Sequence, residues 1–275
     1  MQITNQITTN RITPSFRMYS EHRSNVTSYN YWTTTKFFRD DLNWNDFVFM
    51  MHNKYKDVDK VNIQCFACSD GEEPFSLAMK LDAYLNEKSA KFFPIVAKDF
   101  DKTNIYYAKK GVYEVRPAEL CDIERECDMR MSKYITVGNA YRVHPNELYS
   151  NNSMIPVKIK NNLREKVLFK HADILNDVQN IPKSNTVLMT RNMWPYLPAK
   201  KQVFLAKELA KQLDESSLIV LGHFEISQGT HKLLEEAGFE MTEIYGIMCK
   251  KAKKFLPDEF SDAKIMFNKI KSLKK

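Results

Sequence analysis

From residue 62 onward the chain alternates short apolar runs with longer stretches of helical period, and that alternation is what most narrows the folds open to it. Residues 61–67, 93–98, 185–189, 217–221 and 239–250 read as strands. Helices fall between them. In 72–88 (EEPFSLAMKLDAYLNEK), Phe75, Ala78, Met79 and Leu85 lie near one face. Glu72, Glu73 and Pro74 in its first turn mark a helix start. Residues 199–213 and 230–237 read as two further amphipathic helices, the second stopped by Gly238. The pattern predicts an α/β chain: a layered sheet with helices on both faces.

Helical periodicity lapses over about 134–170, where YRVHP, IPVKIK and KVLFKH predict a small antiparallel β insertion. Residues 1–40 are a polar arm, its first 30 residues rich in Asn, Thr and Ser. Residues 41–256 form the main domain. Residues 257–275 predict a basic amphipathic helix burying Phe260, Met266, Phe267, Ile270 and Leu273. With 275 residues, 43% of them hydrophobic, there is ample material for one large core. No run approaches the roughly 20 apolar residues of a membrane span, and the N-terminus is polar, so a cytoplasmic protein without membrane insertion is expected.

Five cysteines, at 65, 68, 121, 127 and 249, make a poor disulfide framework and read as reduced thiols. Cys65 and Cys68 form a C-x-x-C, but inside an apolar run and with no second pair at zinc spacing, so no metal is expected. The formal net charge of +7 gathers in 250–254 (KKAKK) and 269–275 (KIKSLKK). No tyrosine or tryptophan is interleaved there, which points to a solvated helix face and not to a base-stacking nucleic-acid surface.

The first strand runs into Ala67-Cys68-Ser69-Asp70-Gly71-Glu72-Glu73-Pro74, a strand-to-helix turn of the kind that binds ligands in open α/β sheets. The turn lacks G-x-G-x-x-G spacing, and its two carboxylates at the helix start would repel a pyrophosphate. A cationic, phosphate-free cofactor fits it better. About one βαβ unit later the second strand ends at Asp99, where a carboxylate can accept from both hydroxyls of a ribose. Asp101 and Thr103, nearer the next helix, suit a helix cap instead.

Five segments occur in order: TTTKFFRD (33–40), ACSDGEEPFSLAM (67–79), KDFDKTNIYYAKKGVYE (98–114), TRNMWPYL (190–197) and LGHFE (221–225). They resemble the T-x-F-F-R, CS-x-GEEP-YS, D-x-D…G-x-Y, C-R-N-V-x-I-Y-F and GH-S-E motifs of CheR-type enzymes, which methylate glutamate side chains of chemotaxis receptors. The resemblance covers roughly 33–250 and implies a Rossmann-like class I methyltransferase sheet with S-adenosylmethionine as cofactor and S-adenosylhomocysteine as product. It implies a protein substrate, a chemoreceptor or another signalling protein. The helical domain that precedes T-x-F-F-R in the family is expected to be reduced here.

By position the resemblance implies that Thr33, Thr35 and Arg39 meet the methionine end of the cofactor, with Ala67, Ser69, Glu72 and Glu73 beneath it. Asp99 would hold the ribose, Asp173 and Ile174 the adenine, Asn192 and Met193 the sulfonium. Arg39 and Tyr196 are the candidate catalytic residues, both bordering the acceptor. A glutamate acceptor is already ionised near neutral pH and needs alignment, not a general base. No histidine has an identifiable nucleophile partner, and structural or surface roles are expected for all six. Departures from the family pattern at Thr33, Asp173, Met193 and Phe224 give a second reading, a weak or inactive CheR-like interaction module that still binds the cofactor.

Overall fold

The computed structural model describes residues 21–23, 30–32, 35–142 and 153–251. Thr33 and the basic helix expected over 257–275 lie outside the described residues, as does most of the polar arm.

Five parallel strands run to one edge of a seven-stranded sheet, in the spatial order Leu218–Val220, Thr186–Met189, Asn62–Phe66, Ile95–Asp99, Val167–His171. Such strands are covered on both faces, and here they are: Thr186–Met189 is buried throughout and Asn62–Phe66 at all but its first residue. Cys65 faces a core shared with Phe47, Phe75 and Leu77, whereas Phe66 faces the core built on Leu205, Leu209 and Leu234. The chain leaves Asn62–Phe66 for Ile95–Asp99 on one side and later adds Thr186–Met189 on the other. The strand order therefore reverses beside Asn62–Phe66, and a crevice opens at the carboxyl ends there.

Two expectations are corrected. The segment 239–250 is not one strand but a hairpin, Phe239–Met241 and Ile247–Lys250, which closes the sheet in antiparallel fashion around Gly246 at φ +89°. KVLFKH belongs to the parallel sheet, pairing with Ile95–Asp99, and not to the insertion. It was misread because as an edge strand it exposes alternate residues, Leu168 at 44%, and so imitates the period of an antiparallel hairpin. The insertion itself is built from Val112–Val115, Ile135–Val137, Tyr141–Arg142 and Ser153–Ile159, all antiparallel to the last of these.

The helices begin and end where the sequence supplies the means. Glu72–Leu85 starts after Gly71, whose φ of +101° few other residues tolerate, and a Cβ there would come within 2.9 Å of the Phe169 ring. The Lys102–Lys110 helix is capped by Asp101, which accepts from the Thr103 N–H at 2.7 Å. Among the described residues no helix is long and apolar enough to cross a membrane, and no cluster of side chains suits a metal ion.

Candidate active site

The segment carrying Thr35 and Arg39 is placed by two aromatic anchors. Phe37 is fully buried, meets Tyr113 edge-to-face at 5.0 Å, and donates its N–H to Glu119 Oε1 at 2.8 Å. Phe38 packs against Trp44 and donates its N–H to Ser76 Oγ at 2.9 Å. Burying each ring contributes roughly 2–3 kcal/mol, enough to hold a short stretch without regular structure. Thr35, Lys36 and Arg39 are thereby left on the wall of one open cleft of about 1300 Å³, mouth included.

The floor of the cleft is the strand-to-helix turn. Ala67 and Ser69 take φ of +53° and +49°, a costly conformation for residues with side chains and one that gathers at ligand sites. Asp99 explains how the turn is held. It is 4% exposed; its Oδ2 accepts from the Ser69 N–H at 2.8 Å, and its Oδ1 from the Asp101 N–H at 2.9 Å. Burial raises its pKa, and those backbone hydrogen bonds counter the shift.

Glu73 lies on the opposite wall, its Oε2 accepting from Arg191 Nη1 at 2.8 Å. Arg191, its side chain fully buried, also pairs with Asp41 and lies 5.4 Å from the Trp44 ring centroid. It thus clamps the chain following Arg39 to the first turn of the Glu72–Leu85 helix. Burial raises the pKa of Glu73, with Arg191 opposing it. Glu72, placed with the cofactor residues by the resemblance, does not line the cleft; it is buried beneath, hydrogen-bonded to Thr35, and burial raises its pKa well above the usual range.

On the remaining side Ile174 and Leu175 join Phe66, Phe100 and Leu197 to make an apolar end. Asp173 reaches the same wall, but its carboxylate caps the short Ile174–Asp177 helix, accepting from the Leu175 N–H at 3.0 Å and from Asn176 Nδ2 at 3.0 Å. Asn192, at φ +58°, and Met193 cross toward the mouth, where the turn Trp194–Tyr196 presents Tyr196 beside Phe224, ring centroids 6.5 Å apart. Burial raises the pKa of Tyr196, and the charge of Arg39 lowers it.

Thr35, Arg39, Ala67, Ser69, Glu73, Asp99, Asp173, Ile174, Asn192, Met193 and Tyr196 therefore line one cleft, drawn from five separated segments. Sequence reasoning passed over Arg191, Phe66 and Trp44, which share it, and Asp41, which anchors it from outside the lining. Arg191 stood inside the TRNMWPYL motif and a buried arginine there was the available signal; Asp41 and Trp44 carry none, because only the tertiary fold brings them to Arg191. LGHFE directly follows the strand Leu218–Val220, and its last three residues open the short helix His223–Ser227.

The cleft suits a nucleoside carrying a cationic tail. Ser69 Oγ and Asn104 Oδ1 are buried on or against its lining without a partner among the described residues, as sites awaiting ligand hydroxyls would be. Its deep carboxylates, Glu73 and Asp99, disfavour phosphate and favour amine, sulfonium and ribose groups.

A mainly parallel sheet with a cleft at its switch point and acids on the turn is a Rossmann-like, class I methyltransferase fold, whose cofactor is S-adenosylmethionine. The chain belongs to the family described as CheR methyltransferase, SAM binding domain, which matches residues 33–241. It is 23% identical over 63% of its length to the chemotaxis protein methyltransferase of Borreliella burgdorferi, and 22% identical over 67% to that of Listeria monocytogenes. The chain spans 55% and 59% of those two relatives. Among solved structures it is similar to the methyltransferase domain of bacterial CtHen1-C, with 10% identity, a TM-score of 0.40, and 78% and 99% of the two chains covered.

Proposed function

We propose that this protein transfers a methyl group from S-adenosylmethionine to a glutamate carboxylate on a receptor or other sensory protein. The observation that carries the reading is that Arg39 and Tyr196 line the same cleft as the Asp99 floor. Bound there, the cofactor supplies an electrophilic methyl on a sulfonium.

Within this reading the residues have separable tasks. Asp99 accepts from the ribose hydroxyls while keeping the turn in place. Phe66 and Ile174 shield the adenine, and Asn192 and Met193 border the sulfonium. The acceptor carboxylate is anionic at neutral pH, so no side chain needs to remove a proton. Arg39 holds it by its planar fork and keeps the two reacting atoms in line; Tyr196 donates a hydrogen bond from the other edge. Burial, which keeps the Tyr196 hydroxyl protonated, suits it to donate. Thr33, by its place in the motif, joins Thr35 at the methionine end.

The partner is a protein, and the aromatic pair Tyr196–Phe224 at the mouth, with Phe224 42% exposed, offers apolar contact to a polypeptide. Incubating the protein with methyl-labelled cofactor and a lysate of its own host tests the reading. Alkali is expected to release labelled methanol from the product, and Arg39→Ala to lower that release at least tenfold. A product stable to alkali would exclude a carboxyl ester.

A further inference from the structure

The last of the five motifs, LGHFE, contributes nothing to the cleft wall, yet it holds a fully buried carboxylate. Glu225 is 0% exposed and absent from the cleft lining. Its Oε1 accepts from the Met193 N–H at 2.8 Å and its Oε2 from the Gly222 N–H at 3.0 Å. Met193 is a wall residue of the cleft, preceded by Asn192 in a left-handed conformation and followed directly by the turn that presents Tyr196. One carboxylate therefore fixes, from behind, the strained stretch carrying both the sulfonium side and the acceptor side of the site.

Gly222 completes the device. A Cβ on it would lie 2.7 Å from Glu225 Oε2, 2.9 Å from Asp41 Oδ2 and 3.4 Å from Asn192 Nδ2, so only glycine lets these groups converge. From the geometry we infer that Glu225 is a positioning residue, whose ionised carboxylate sets the Asn192–Tyr196 stretch in its cofactor-binding form. The inference rests on the cofactor site described above.

The chemistry demands an anion. Met193 and Gly222 both present N–H donors, and only an ionised carboxylate offers each an acceptor; a protonated one, or an amide, turns a donor toward one of them. Burial raises the Glu225 pKa to about 6, against the hydrogen bonds from its own N–H, Met193 and Gly222 and the charge of Arg191. The other groups facing it are Asp41, across Gly222, and the Tyr196 hydroxyl. The carboxylate is thus protonated as pH falls through about 6, and the hold on Met193 is lost in that direction.

The test is the affinity for S-adenosylhomocysteine, measured by calorimetry from pH 5 to 8 on the wild type and Glu225→Gln. Asp99, whose pKa burial also raises, titrates in both proteins, so the Glu225 contribution is the difference between the two profiles. Glu225→Gln is expected to bind about tenfold more weakly at pH 7.5, the order of one charged hydrogen bond, with the gap closing as pH falls below about 6. A parallel offset at every pH, or no offset, would overturn the inference. Gly222→Ala, which pushes the carboxylate away without altering any charge, gives a second reading: weaker binding at pH 7.5 supports the inference and unchanged binding contradicts it. Absence of binding by the wild type would instead count against the cofactor assignment, and so against the inference built on it.

Discussion

The floor and the mouth of the cleft are built differently. On the floor and the wall beside it the charged groups are held in place: Asp99 takes the Ser69 and Asp101 N–H groups, and Arg191 joins Glu73 to Asp41 with its side chain fully buried. At the mouth Tyr196 and Phe224 meet as rings, and Phe224 is 42% exposed. A network satisfied by neighbours fixes one geometry, suited to a cofactor that never changes. An exposed aromatic rim fixes little and leaves room for acceptor choice.

That contrast is sharpened by substitutions of graded effect. The largest stability loss is expected for Arg191→Met, which strands two carboxylates against the cleft; about 3–5 kcal/mol should be missing in a urea unfolding curve. Next comes Gly71→Ala, strained at φ +101° and crowded by Phe169, expected to cost about 1–3 kcal/mol in the same assay. Smallest is Phe224→Ser at the mouth, expected to move stability by no more than about 0.5 kcal/mol and cofactor affinity by less than twofold while changing acceptor methylation. If the order were reversed, with Phe224→Ser costing more than Arg191→Met, the distinction between floor and mouth would fall.

What the sequence disclosed follows the same division. The floor was legible because its chemistry is local: the 67–74 turn, Asp99 at a strand end and Asp101 as a cap each follow from neighbours in the chain. Central strands were legible too, since burial on both faces makes them largely apolar runs. The exposed-edge period of Val167–His171 hid its parallel pairing, and a lone Gly246 was the one local sign of the turn between Phe239–Met241 and Ile247–Lys250. Arg191 acts through Asp41 and Glu73, 150 and 118 residues away, and Glu225 through Met193, 32 residues away, distances over which no periodicity speaks.

The most direct test of the account is calorimetric titration of S-adenosylmethionine and S-adenosylhomocysteine into the wild type and Asp99→Ala. Saturable binding by the wild type is expected, with a loss of about a hundredfold in the variant, equivalent to two charged hydrogen bonds to the ribose. Equal affinity in the two folded proteins would contradict the placing of the ribose at Asp99, and no binding by a folded wild type would contradict the cofactor site itself.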